Sequence, residues 1–236
     1  MIKFDNTEVM NFEGAIRGMR NPLESWDKSD SFLCPGYCDN CERWTLGAYL
    51  EGNVCGNHIE GEFVIGDNDL NLMRRLANAG SDHRKFLRQI LVSVDITAPL
   101  YWWKEFDTYK VGTVSNSCST MHKIASKPIE LSDFSIDNFD MEDEGIDLED
   151  MFINIVADCE CLRKKYLETK DKRYWRGLIQ LLPSSYNQRR TITLNYETLY
   201  NIYGSRRNHK LDEWSIGFMD WIKSLPYANE LIIDRS

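Results

Sequence analysis

The chain has 236 residues, 42% of them hydrophobic and 28% charged, with only 14 glycines and 6 prolines, which excludes a disordered, collagen-like or low-complexity chain. The 28 Lys and Arg residues against 37 Asp and Glu residues give a formal net charge of −9, the wrong sign for attraction to duplex nucleic acid. The sequence shows no leader-like segment and no long uncharged apolar run. We therefore expect a single domain over residues 1–236 that works in the cytoplasm without contacting a membrane.

The first two thirds of the chain alternate between loops and regular elements. Residues 1–31 show no sustained period, and we expect irregular structure with short elements there. The stretch DNDLNLMRRLANAG predicts a helix that begins at Asp67 and ends before Gly80. In FLRQILVSVDITAP, alternating β-branched residues up to Pro99 indicate a strand with one buried face. The aromatic LYWWKEFDTYK is compatible with a helix, and the small hydroxyl residues of VGTVSNSCST favour a loop or strand.

The last third is predicted to be mainly helical. A long core helix is indicated between Leu148 and Thr169 by an apolar stripe at helical spacing. The stripe consists of Met151, Ile155, Cys159, Leu162 and Tyr166. A shorter helix, KRYWRGLIQLL, ends before Pro183, and a strand-like TITL then leads into further helices. This order of elements predicts an α+β fold.

Four of the seven cysteines crowd into a Cys-rich insert, residues 32–62. Cys38 and Cys41 form one short pair, and thirteen intervening residues separate it from a second pair, Cys55 and His58. Two such pairs match the ligand spacing of a closed, structural zinc site, with Cys34 as a competing ligand. The alternative is that these residues are ordinary reduced thiols in a surface loop.

A second constellation follows the predicted strand near the C-terminus. Asn195, Asn201 and Arg206 lie at offsets of six and five, which places three polar side chains near one helical arc. Such an arc can read a planar ring or clamp a phosphate. Helix capping and surface hydrogen bonds are the alternative explanation.

This stretch resembles the closing motif of the flavin-dependent thymidylate synthases, in which a Leu-Pro ends one helix, a strand follows, and an Asn-x5-Asn-x4-Arg pattern opens the next. Leu182 and Pro183 supply the first part here. The upstream helix, strand, Ala-Pro and aromatic helix are similar as well, so the resemblance spans residues 67–214. It implies a twisted, mostly antiparallel sheet flanked by helices, with the insert at residues 32–62 lying outside the shared part.

The family hallmark RHRxxSxNxxSxR corresponds to TYKVGTVSNSCST here. Lys110 keeps a charge, whereas the first and last arginines of the hallmark become Thr108 and Thr120. Cys118 takes the place of the second serine of the hallmark. If the alignment is shifted by one residue, Ser119 takes that place instead. The family's arginine four residues before the proline is Ile179 here. Four other arginines could replace the lost charge: Arg176, Arg189, Arg190 and Arg207.

The resemblance implies a role for each matching residue. Around the nucleotide it places His83, Glu105, Cys118, Arg176 and Arg206, and at the flavin it places Tyr109, Lys110, Asn195 and Asn201. Cys118, Ser119 and Arg206 are the candidates for the catalytic part, Arg206 by holding the nucleotide phosphate. For Cys118 two interpretations stay open. Its thiolate could add to C6 of a pyrimidine, or it is a small residue that replaces a small Ser in a packed loop.

The resemblance further implies the activity. The family binds dUMP beside a reduced flavin, transfers a methylene from methylenetetrahydrofolate to uracil C5 and reduces it with flavin hydride. We therefore expect a divergent thymidylate synthase-type methyltransferase of nucleotide biosynthesis, using FAD and acting as a homotetramer whose sites are shared between subunits. The alternatives are a nucleotide-binding or regulatory homologue that has lost flavin catalysis, and a homo-oligomeric structural protein with a zinc knuckle.

Overall fold

A computed structural model describes residues 2–34, 61, 63–137, 139 and 147–234. The chain divides into two compact units. The sheet unit consists of Met1–Glu8, Ser93–Leu194 and Ser205–Trp221, and the helical unit of Val9–Val92, Asn195–Gly204 and Ile222–Ser236. This division does not test the single domain expected over residues 1–236, which stays a prediction.

Six strands and eight α-helices lie in the described part of the chain. The strands are β1 (Lys3–Met10), β2 (Phe32–Leu33), β3 (Phe63–Val64), β4 (Leu91–Pro99), β5 (Val114–Ser117) and β6 (Asn187–Asn195). The α-helices are α1 (Phe12–Arg20), α2 (Asp67–Asn78), α3 (Leu100–Phe106), α4 (Thr120–Lys123), α5 (Leu148–Thr169), α6 (Lys172–Leu181), α7 (Tyr196–Arg206) and α8 (Met219–Lys223). Short 3₁₀ segments span Asn21–Leu23, Trp26–Lys28, Arg84–Gln89 and Leu131–Asp133, and π-helical turns span Glu213–Phe218 and Asn229–Ile233.

A four-stranded sheet in the order β1-β4-β6-β5 organises the sheet unit. β5 runs antiparallel to β6, with Val114 opposite Thr193 and Ser117 opposite Arg190. The alternation predicted for β4 is present, because every second residue from Val92 to Ala98 is buried. The predicted α+β class is confirmed, and helices α3 to α6 follow or connect strands of this sheet.

The aromatic residues of α3 form the core of the sheet unit. Trp102, Trp103 and Phe106 are almost completely buried. The Trp102 ring lies 4.6 Å from the ring of Trp214, centroid to centroid, and Phe218 packs against both. Burying large aromatic side chains contributes much of the hydrophobic stabilisation of a domain. The aromatic density of LYWWKEF therefore reflects core packing on a helix, as the sequence suggested.

Helices α5 and α6 pack together over a second core cluster. α5 has the predicted bounds, but its buried face is shifted from the predicted stripe: Phe152 and Val156 are buried, whereas Met151 is 59% exposed. Cys159 is fully buried, and burial raises the pKa of its thiol to about 11. This cysteine is therefore a core residue, and Cys161 on the same helix is exposed.

The first 31 residues are more regular than predicted. β1 is the edge strand of the sheet and is mostly exposed, so its sequence lacks the apolar alternation that marks a half-buried strand. α1 has only nine residues and contains two glycines, which hid its amphipathic face. Asn11 precedes it with a φ of 73°, a left-handed conformation that Asn tolerates better than most residues.

The helical unit contains the predicted helix α2. Gly80 follows it with a φ of +113°, a conformation that favours glycine at a helix end. Asp69 on α2 is fully buried and accepts hydrogen bonds from Arg20, Ser29 and Ser31 at 2.6 to 2.7 Å. The carboxylate thus ties α1 and the following loop to α2. Among the described residues, no helix is long and apolar enough to cross a membrane.

Candidate functional site

A cleft of about 500 Å³ opens beside the loop Cys118–Ser119 in the sheet unit. The loop follows β5, and the backbone N–H of Cys118 donates to the carbonyl of Arg189 at 2.9 Å. The Ser119 hydroxyl caps α4 by accepting from the N–H of His122 at 3.2 Å. The end of β5, the start of β6 and α4 therefore place these two predicted catalytic residues at one edge of the cleft.

The lining of the cleft is cationic and rich in hydroxyl groups. Arg189 and Lys127 each pair with a carboxylate, Asp95 and Asp133 respectively. The Asp95 carboxylate also accepts hydrogen bonds from the Thr191 hydroxyl and the Asn6 amide. These bonds, the one from Thr191 above all, and the bond from Arg189 lower the pKa of Asp95. The other cations of the lining are Lys3 and Lys123, and neither forms an ion pair with a carboxylate in the described part of the chain. The hydroxyls of Ser119, Thr120, Ser126 and Ser132 also line the cleft. Ammonium and hydroxyl donors of this kind bind phosphate oxygens.

Arg206 lies at a second centre, at the end of α7. Its Nη1 is 2.6 Å from Glu105 Oε2, and its Nε donates to the Tyr109 hydroxyl at 2.8 Å. The guanidinium carbon lies 5.0 Å from the centroid of the Trp214 ring, a distance typical of a cation–π contact. His209 Nε2 lies 3.2 Å from the same Glu105 oxygen. Three predicted residues, Arg206, Glu105 and Tyr109, are thus brought together, while Arg206 does not line the Cys118 cleft of its own chain.

The remaining predicted residues have separate surroundings. Asn195 is buried, and its side-chain oxygen accepts from the N–H of Thr198 at 2.9 Å, which is the capping arrangement left open as an alternative. Asn201 is exposed on α7, and Arg176 is exposed on α6. His83 is exposed just before the 3₁₀ segment Arg84–Gln89.

Of the arginines proposed as replacements, two enter the site region. Arg189 lines the cleft directly. Arg190, on the neighbouring position of β6, bonds to Asp107 and to Gln188. Lys3, Lys123 and Gln188 were not singled out from the sequence, because they come from β1, α4 and β6 and only the folded chain brings them to one cleft.

The zinc prediction concerns residues outside the described part of the chain. Cys38, Cys41, Cys55 and His58 all fall in residues 35–60, so the zinc site stays a prediction. Cys34 is described and is a buried free thiol. Among the described residues, no group of three or more His, Cys, Asp or Glu side chains could hold a metal ion.

Among solved structures, the fold described above is similar to that of flavin-dependent thymidylate synthases. The particular matches include a crystal structure of thymidylate synthase X (ThyX) from Helicobacter pylori with FAD and dUMP, and one of flavin-dependent thymidylate synthase ThyX from the same organism complexed with FAD and dUMP. Each of the two structures matches with a TM-score of 0.62 and 16% sequence identity. Each match covers 98% of the present chain and 97% of the ThyX chain. No protein-family model and no curated protein matches the sequence.

Proposed function

We propose that this protein binds a pyrimidine deoxynucleoside monophosphate such as dUMP and acts as a divergent flavin-dependent thymidylate synthase-type methyltransferase in cytoplasmic nucleotide biosynthesis. The observation that carries the proposal is the shared fold over 98% of the chain with a protein crystallised with FAD and dUMP. The hydroxyl-rich, cationic cleft beside Cys118 adds independent support, because its chemistry suits a phosphate monoester.

The nucleotide is proposed to lie in the Cys118 cleft. Lys3 and Lys123 are the cations there without a carboxylate partner in the described residues, so they would neutralise the phosphate where the hallmark arginines are lost. The loop Cys118–Ser119 would orient the ring. Arg206 would reach the same nucleotide from another subunit of a homotetramer, as the resemblance implies, because it lies outside the cleft of its own chain.

The residues matched to the flavin fit that cofactor unequally. Lys110 and Asn201 are exposed, and a cation and an amide of this kind suit a flavin diphosphate and ring. Tyr109 already bonds Arg206 and Ser205, and the Asn195 oxygen already caps α7. Lys110 is therefore proposed to hold FAD, which when bound would supply the hydride, and Asn201 is matched to the flavin by the resemblance alone. Methylenetetrahydrofolate is proposed as the one-carbon donor on the resemblance alone.

Cys118 is proposed to position the nucleotide through its small, exposed side chain. The family chemistry depends on placing nucleotide, folate and flavin together, which needs orientation and charge rather than an enzyme nucleophile. Ser119 contributes in the same way, since its hydroxyl is held by the cap of α4 at the edge of the cleft.

Ligand-induced stabilisation tests the proposal. A ligand that binds only the folded protein raises its free energy of unfolding, by about 2.7 kcal/mol at a hundredfold excess over Kd. We expect dUMP to raise the Tm of the wild-type protein, and Lys123→Ala to weaken this effect. Lys164→Ala is the matched control, since Lys164 is an exposed lysine on α5 outside the cleft.

The outcomes separate the candidate functions. Flavin absorbance in the purified protein, together with dUMP stabilisation, supports the synthase. A colourless protein that dUMP stabilises and added FAD does not change supports a nucleotide-binding homologue. A protein that responds to no pyrimidine nucleotide refutes the proposal.

A further inference from the structure

A chain of side-chain hydrogen bonds runs from the core of the sheet unit to the Cys118 loop. Gln188, at the start of β6, is only 7% exposed, and its Nε2 donates to the Cys118 carbonyl oxygen at 2.8 Å. Arg190 Nε donates to Gln188 Oε1 at 2.8 Å. A guanidinium can only donate and a carbonyl can only accept, so the two partners fix which way the Gln188 amide points.

The far end of this chain is anchored to α3. Arg190 Nη1 donates to Asp107 Oδ1 at 2.7 Å, and the Arg190 side chain is only 13% exposed. Its guanidinium carbon lies 4.2 Å from the centroid of the Trp103 ring. Trp103 is fully buried, and its Nε1 donates to the Gln188 carbonyl at 2.9 Å. The arginine is therefore held on one side by the buried Trp103 ring and on the other by Asp107, which directly follows α3 and is half exposed.

We propose that Gln188 and Arg190 are positioning residues that fix the Cys118–Ser119 loop and thereby set the affinity of the cleft for its nucleotide. They stand two residues apart on β6 and so share a face of the strand. The loop itself consists of small, largely exposed residues with little packing to hold it. Besides the backbone bond to Arg189, the Gln188 amide is its main link to the sheet. The nucleotide part of this inference rests on the proposed function.

Two substitutions test the inference in the full-length chain. Gln188→Met keeps the length and the neutral charge of the side chain but removes the N–H that bonds Cys118. Arg190→Lys keeps the charge but cannot serve Gln188 and Asp107 at once, since it loses the planar fork. Thr191→Val is the matched control, because it lies on the same strand and removes a hydrogen bond to Asp95 that does not involve the loop.

Three measurements are made on each variant: amide hydrogen exchange over residues 114–124, the Kd for dUMP, and the Tm. In both test variants we expect exchange over this segment to become about 3- to 10-fold faster, the effect of one lost hydrogen bond. The Kd should rise by a similar factor. The Tm of each test variant should fall no further than the Tm of Thr191→Val. If the two residues only stabilised the fold in general, the Tm would fall further than in this control.

Unchanged exchange over residues 114–124 in Gln188→Met overturns the inference. Faster exchange with an unchanged Kd overturns it as well, because the loop position would then not matter to the ligand. If the wild-type protein itself binds no dUMP, the proposed function fails, and hydrogen exchange still decides whether the two residues hold the loop.

Discussion

The ion pair between Arg206 and Glu105 gives a direct test of which partner Arg206 serves. The two side chains are 18% and 34% exposed, and their charged atoms lie 2.6 Å apart. If Arg206 holds a nucleotide phosphate in the assembled enzyme, Glu105 competes for the same guanidinium and repels the phosphate dianion. Glu105→Gln removes that charge and leaves a side chain of almost the same shape.

The size of the effect follows from the exposure of the pair. A charge-assisted hydrogen bond contributes about 1.5–3 kcal/mol when it is well buried, and solvent screening at a third exposure reduces this to about 1 kcal/mol. Glu105→Gln should therefore lower the Tm by about 2–4 °C in a chain of this length. The same energy no longer opposes the phosphate, so the Kd for dUMP should fall about fivefold.

The assay is titration of dUMP by calorimetry at two salt concentrations. Glu197→Gln is the control, because Glu197 likewise pairs with an arginine, Arg88, and neither residue lines the cleft. The control should lose stability without any change in Kd. An unchanged or higher Kd in Glu105→Gln would refute the reasoning and make Arg206 a structural cation of the aromatic core.

Five further outcomes are expected. Asp69→Asn should cost about 3–5 kcal/mol, since it leaves the Arg20 cation buried without a counter-charge. Burial alone would raise the pKa of the Asp69 carboxyl, but the hydrogen bonds that it accepts lower this pKa. The stabilisation that Asp69 provides is therefore complete above about pH 4 and is lost as the pH falls further. Urea unfolding at several pH values measures this loss. Cys118→Ser should keep dUMP affinity and turnover, whereas loss of turnover alone would indicate a nucleophile. Asn195→Ala should cost about 1 kcal/mol through the lost cap of α7, seen by thermal unfolding. Protein purified without chelator should contain stoichiometric zinc if residues 35–60 bind it.

Sequence periodicity predicted the elements that bury a continuous face. β4 and α2 each have one face packed on a core, and their patterns were readable because burial selects apolar side chains at a fixed interval. The same rule fails for β1, which lies at the sheet edge and needs few apolar residues. On α5 the helix was predicted correctly but its buried face was not, because Met151 and Phe152 are both apolar and only the tertiary fold decides which one is covered. Phe134 and Phe139 pack against the Phe152 ring.

The site was less accessible to sequence reasoning. Asn195 offered two explanations, and the bond to Thr198 shows that it caps a helix whatever else it does. The partner of Arg206 could not be inferred, since 101 residues separate it from Glu105 along the chain. Gln188 carried no motif at all. Its role depends on a carbonyl 70 residues earlier, and backbone groups leave no trace in a sequence.

A phosphate site needs positive charge close to the phosphate, and the hallmark motif is only one way to place it there. TYKVGTVSNSCST lacks two of the three arginines and has Lys110 for the third, yet the cleft that follows it is lined by Lys3 from β1, Lys123 from α4 and Arg189 from β6. Counterions from three elements can neutralise a phosphate as well as neighbours in one loop, since the interaction depends on distance and local dielectric. Loss of the motif is therefore weak evidence against nucleotide binding. Substitution of the cations that line the cleft is the direct test of such binding.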